Sequence, residues 1–196
     1  MPGRLHESPE AEENCCELFV SRRERRLWVW TMIIVAGIYS TLGVTPKLVP
    51  LVSHPVVSGI LFAGCLLLTG MMILTQGLQV RPHKLEIGVG LGVLAVYLLL
   101  LVRLTLPERS HLMEYGIVAV FLYEALIERK RAGRRVPFPA LLAIAGTWML
   151  GTCDELIQAI LPTRVFEWQD ILFNLLAGLL ATTAMVILHR VRKRVS

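Results

Sequence analysis

Long apolar stretches alternate with short basic segments along the whole of this chain, and that alternation limits what the chain can become. A helix needs about 20 mostly apolar residues to cross a hydrocarbon core about 30 Å thick. Six stretches meet or approach that length: 27–45, 56–76, 85–106, 111–127, 140–160 and 171–189. The predicted fold is therefore all-α, a polytopic integral membrane bundle of about six transmembrane helices. The second stretch carries no charge.

The basic residues set the expected orientation, because loops retained in the cytoplasm carry excess Lys and Arg. Arg4, Arg22, Arg23, Arg25 and Arg26 precede the first stretch. Arg81 and Lys84 follow the second. Arg129, Lys130, Arg131, Arg134 and Arg135 follow the fourth, and Arg190, Arg192, Lys193 and Arg194 follow the sixth. Together these are 16 of the 20 Lys and Arg, whereas the alternate loops hold only Lys47, Arg109 and Arg164. Arg103 lies within the third stretch. The split predicts cytoplasmic termini and an even number of spans.

Composition agrees with this placement. The chain is 55% hydrophobic and 18% charged, with a mean hydropathy of +0.61. Soluble domains average about 45–50% apolar and about 25% charged. A disordered chain, a collagen-like repeat and a disulfide-rich secreted domain are excluded. The net charge of +5 reads as a topology signal, and no folded basic domain suggests nucleic acid. The four cysteines, Cys15, Cys16, Cys65 and Cys153, form no metal spacing and no disulfide framework. Gly88, Gly90 and Gly92 lie in an apolar stretch, where close helix packing explains them better than a dinucleotide loop. Residues 1–26 are expected to be a polar, disordered cytoplasmic tail leading into an uncleaved signal anchor. Two N-terminal helices would occupy 27–84, a membrane core 85–189, and a basic tail 190–196.

The few polar residues left in the apolar stretches point to one site. The chain has only two Asp residues, Asp154 and Asp170. Both fall at span ends facing outside in the topology above, near Glu155, Gln158, Arg164 and Asn174. The fourth stretch begins on the same side with His111, Glu114 and Tyr115. Fourteen residues separate Ala140 from the first acid, about 21 Å at 1.5 Å per residue, so Asp154 is expected inside the outer leaflet. Helical neighbours lie three and four apart. That rule groups Asp154, Glu155 and Gln158, then His111, Glu114 and Tyr115, then Asp170 and Asn174. Asp170 and Glu114 also suit the first turn of a helix. Asp154 and Glu155 would meet the negative end of the helix dipole, and Arg164 is their expected counter-ion. Glu124 and Glu128 read as salt-bridged or solvated near the basic loop. His54, His83 and His189 read as isolated loop or end residues.

The segment 154–178, DELIQAILPTRVFEWQDILFNLLAG, together with HLMEY at 111–115, resembles the VanZ-like family of membrane proteins. The shared pattern is Asp-Glu, two residues, Gln, a short apolar turn with Pro and Arg, then Asp, three residues and Asn. The resemblance spans roughly residues 85–185. Thr163 stands where a Gly before the Arg is common, and Ala177 and Ala181 stand where Gly follows the Asn. The resemblance implies a bacterial cytoplasmic-membrane protein of the cell envelope, and the founding member is associated with resistance to the lipoglycopeptide teicoplanin.

Three functions compete. A non-catalytic envelope protein would bind membrane lipid, a lipid-linked precursor or a lipophilic antibiotic. A membrane enzyme would use Asp154, Glu155, His111 or Glu114 as acid and base, while Gln158, Arg164, Asp170, Asn174 and Tyr115 bind an anionic substrate. An ion-coupled transporter, or an accessory subunit of a membrane complex, is the third. No cofactor is expected, and no ligand spacing marks a metal site, although Asp154, Glu155 and Asp170 have the chemistry to hold a divalent ion.

Overall fold

The computed structural model describes residues 19–42, 57, 84–103, 106–161 and 166–195. The expected stretch 56–76, apart from residue 57, lies outside them, as do Arg164, residues 1–18 and the first three cysteines. Five helices make up the described fold, with no strand among the described residues: α1 Arg22–Leu42, α2 Lys84–Arg103, α3 Leu106–Arg131, α4 Pro139–Ile160 and α5 Trp168–Val195. Among the described residues, three segments are long and apolar enough to cross a membrane: Ser110–Arg131, Pro139–Ile160 and Trp168–Arg194. They contain the expected stretches 111–127, 140–160 and 171–189.

Local sequence explains where the helices begin and end. Ser21 and Glu24 form a capping pair at the start of α1. The Ser21 Oγ accepts the Glu24 N–H at 3.0 Å, and the Glu24 carboxylate accepts the Val20 N–H at 2.8 Å. Residues 22–26 are therefore helical, against the expectation of a disordered tail through residue 26, and Glu24 is fully buried. The capping pair supplies the order that charge density alone argued against. Helix α3 ends with Gly133 at φ 85°, with Gly133 N–H bonded to the Lys130 carbonyl and Arg134 N–H to the Arg129 carbonyl. That is the paired closure of a left-handed C-terminal cap. Its last turn holds Arg129, Lys130 and Arg131, which suits the negative end of the dipole. Pro139 then opens α4, a position where its missing N–H costs nothing.

Helices α3, α4 and α5 pack against one another, α1 lies chiefly on α3, and α2 makes a slighter contact with α5. The buried face of α4 is Ala143, Thr147, Gly151, Asp154, Glu155 and Gln158, all small or polar. Its exposed residues include Leu141, Trp148, Met149, Leu156 and Ile160. This inverts the pattern of a helix in water and matches helices whose apolar faces meet lipid while small residues bring backbones together. Gly151 is the tightest point. A Cβ there would come within 2.5 Å of the Asn174 side chain on α5. Gly146 faces Leu122 of α3 and Gly178 faces Thr147 of α4. The close packing expected of Gly88, Gly90 and Gly92 is not found among the described residues, where a Cβ on each meets nothing within 4 Å. The aliphatic core lies between α1 and α3, with Leu27, Ile38, Leu112, Val118, Phe121 and Ala125 buried.

Candidate functional site

The start of α3, the end of α4 and the start of α5 meet at one end of the bundle. His111, Asp154, Glu155, Gln158 and Asp170 are all buried there, and Tyr115 and Asn174 are buried one turn deeper. The i, i+3 and i+4 spacings aim each set at the common interface. The His111 Nε2 lies 3.4 Å from Asp170 Oδ2 and 3.7 Å from Glu155 Oε1. His111, Asp154 and Glu155 each present one ligand atom, and the three atoms lie within 4.8 Å of one another. Gln158 Nε2 donates to Glu155 Oε1 at 3.3 Å, which orients that carboxylate from the next turn.

Tyr115 stacks its ring parallel to His111, with centroids 6.2 Å apart and planes 7° from parallel, and its hydroxyl is buried. Tyr39 ties α1 to this end by donating to the Leu150 carbonyl at 2.8 Å. Asn174, one turn after Asp170 on α5, sits over Gly151 of α4. It is completely buried, and neither atom of its carboxamide has a hydrogen-bond partner among the described residues. The His111 Nδ1 likewise has no partner. Buried polar atoms left in this state cost about 1–3 kcal/mol each.

Asp154, Glu155, His111, Gln158, Asp170, Asn174 and Tyr115 thus converge. Asp170 fills both roles read from the sequence, as a first-turn acid of α5 and as a neighbour of His111. Glu114 is half-buried and stands outside the His111, Asp154 and Glu155 group. Arg164 lies outside the described residues. Cys153, next to Asp154, is a free, exposed thiol. Gly151 was the residue that sequence reasoning missed. The small-residue spacing Ala143, Thr147, Gly151 on α4 was its available signal.

A second polar cluster occupies the opposite end. Arg23 lies 3.5 Å from Glu124 and 3.7 Å from Glu128, and Arg129 lies 3.4 Å from Glu24. His189 Nε2 is 2.6 Å from Glu124 Oε1, and Arg131 reaches His189 Nδ1 at 3.3 Å. His189 is therefore not the isolated end residue expected. Its partners come from α3, 65 and 58 residues away in sequence, and only folding brings them near. Glu124 and Glu128 are salt-bridged, as one of their two readings held, chiefly to Arg23 of α1 rather than to the neighbouring basic loop.

The fold and site define a helical protein with three helices suited to a bilayer and a buried histidine-carboxylate cluster at one end of them. No protein-family model, curated protein or solved structure matches this chain.

Proposed function

We propose that this chain is a multi-pass protein of the bacterial cytoplasmic membrane, with about six spans and cytoplasmic termini. In this reading the polar cluster of α3, α4 and α5 faces the cell exterior and acts at the envelope. The observation that carries the proposal is the convergence of His111, Asp154, Glu155 and Asp170 from three helices at one end of the bundle. Arg23, Arg129, Arg131 and His189 meet at the other end, and a basic end is what the cytoplasmic side retains.

Intramembrane acids are rare, face bundle interiors and mark sites of function. The VanZ-like resemblance of 154–178 supports binding of a lipid, a cell-wall precursor or a glycopeptide such as teicoplanin at this cluster. Arg164 is placed by sequence to meet an anionic headgroup. Topology is tested by single cysteines at positions 165 and 132 in a cysteine-free chain. A membrane-impermeant reagent labels 165 and spares 132, and the reverse result overturns the outward-facing site. Function is tested by Asp154→Asn, which is expected to abolish envelope resistance or ligand binding at unchanged expression. Normal function in that variant removes Asp154 from the site.

A second reading, a membrane-embedded enzyme, is favoured by the imidazole of His111 standing between Glu155 and Asp170. One carboxyl in such a group acts as base and a partner as acid when their surroundings differ. Turnover of a lipid-linked anionic substrate by the purified chain, lost in Asp154→Asn, separates this reading from binding alone.

A further inference from the structure

The two histidines that meet carboxylates among the described residues do so in different ways. At the basic end, His189 Nε2 and Glu124 Oε1 are 2.6 Å apart, a short hydrogen bond. At the other end, His111 Nε2 stands 3.4 and 3.7 Å from two carboxylate oxygens. A charge-assisted N–H···O bond spans about 2.7–2.9 Å, so these atoms are too far apart to bond each other well. The 3.7 Å gap to Glu155 Oε1 is close to the spacing of two ligand atoms around a shared centre. With bonds of about 2.1 Å, neighbouring ligand atoms of a tetrahedral cation lie about 3.4 Å apart.

We propose that His111, Asp154 and Glu155 bind one divalent first-row transition-metal ion such as Zn²⁺ or Mn²⁺. Each contributes one ligand atom within 4.8 Å of the others, while Asp170 Oδ2, 3.4 Å from His111 Nε2, stands beside the group from α5. The donor set decides the class of ion. Imidazole suits zinc, iron and nickel, carboxylates suit manganese and magnesium, and a mixed set favours a transition metal over Mg²⁺. Two further observations point to the same place. His111 is more than nine-tenths buried, aims Nε2 into the carboxylates and has an unpartnered Nδ1. Asn174 is fully buried one turn below with both amide atoms unpartnered, where it would orient Asp170 or a bound water.

Gln158 already holds Glu155 by its amide, the kind of outer contact that orients metal ligands. The cation would tie α3 to α4 at the end of the bundle where Gly151 makes the closest approach to α5. This inference goes beyond the envelope reading and does not depend on which membrane face the cluster occupies.

The test uses the full-length chain, purified in detergent and stripped with a chelator, then titrated with Zn²⁺, Mn²⁺, Co²⁺ and Mg²⁺. Wild type is expected to take one Zn²⁺ or Mn²⁺ per chain, to raise its unfolding temperature on doing so, and to ignore Mg²⁺. Co²⁺ is expected to give the visible absorption bands of a low-symmetry nitrogen and oxygen site. His111→Ala and Asp154→Asn are expected to abolish binding, and Gln158→Ala to weaken it about tenfold. Binding retained by the His111→Ala, Asp154→Asn double variant overturns the proposal. Should the variants not fold, pulsed electron resonance on Mn²⁺-loaded wild type still decides. Coupling to one imidazole nitrogen supports the site, and its absence, or no metal uptake at all, overturns it. Loss of the proposal by these measures leaves the cysteine-labelling result untouched, so the two readings fail separately.

Discussion

At the basic end of the bundle, Arg23 and Arg129 reach inward to Glu124, Glu128 and Glu24, and His189 closes tightly on Glu124. At the opposite end, His111 is held open between Glu155 and Asp170 while Asn174 lies sealed against Gly151 with its amide unpartnered. The first cluster uses long side chains whose heads stay partly exposed, 39% for Arg23 and 36% for Arg129. It can adjust, and each of its carboxylates has a cationic partner. The second is built from helices brought close by Gly151, Gly178 and Thr147, and its side chains have little room to move. One end behaves as a structural clasp, and the other leaves the Asn174 amide and the His111 Nδ1 without a partner among the described residues.

Four substitutions test that contrast. The largest effect is expected from Gly151→Val. A Cβ at 2.5–2.6 Å from Asn174 forces α4 and α5 apart, at a cost of about 3 kcal/mol, read as a fall in thermal stability in detergent. A variant as stable as wild type would refute the close approach on which the polar end depends. Next comes Glu24→Ala, which removes the carboxylate half of the α1 capping pair and the partner of Arg129. We expect a loss of about 1–3 kcal/mol, with α1 the first segment to lose protection in hydrogen exchange. His189→Ala should cost about 1–2 kcal/mol, because Glu124 keeps Arg23 as its partner. The smallest effect belongs to Arg23→Ala, below about 1 kcal/mol for a half-exposed pair. High salt should erase it, and a large salt-independent loss would show that the basic end is as rigid as the other.

Much of the polar site was legible in the sequence because helical spacing is a local rule. Asp154, Glu155 and Gln158 lie on one stripe, as do Asp170 and Asn174, so residue number alone assigns each set to a face. The meeting of those faces at His111 required only that α3, α4 and α5 run alternately up and down. The basic-end cluster was not legible. His189 and Glu124 are 65 residues apart, and the residues that flank either one give no hint of the other. Nor did the apparent glycine signal mark the tight packing. The GxGxG of α2 meets open space among the described residues, whereas the isolated Gly151 carries the closest approach. A glycine matters for packing only where a second backbone arrives, and local sequence does not say where that is.

The sequence by itself determined that this chain is helical and apolar enough for a membrane, and it singled out the few acids spent inside apolar stretches. Those properties follow from hydropathy and from the 3.6-residue helical repeat, which operate within one segment at a time. The tertiary structure alone decided that His111 stands within 4 Å of two carboxylates from different helices, that Asn174 is buried over Gly151, and that His189 belongs to an ionic clasp. Such distances depend on how closely separate helices approach. That approach is set by small residues facing one another across an interface, a relation between segments that no single segment contains.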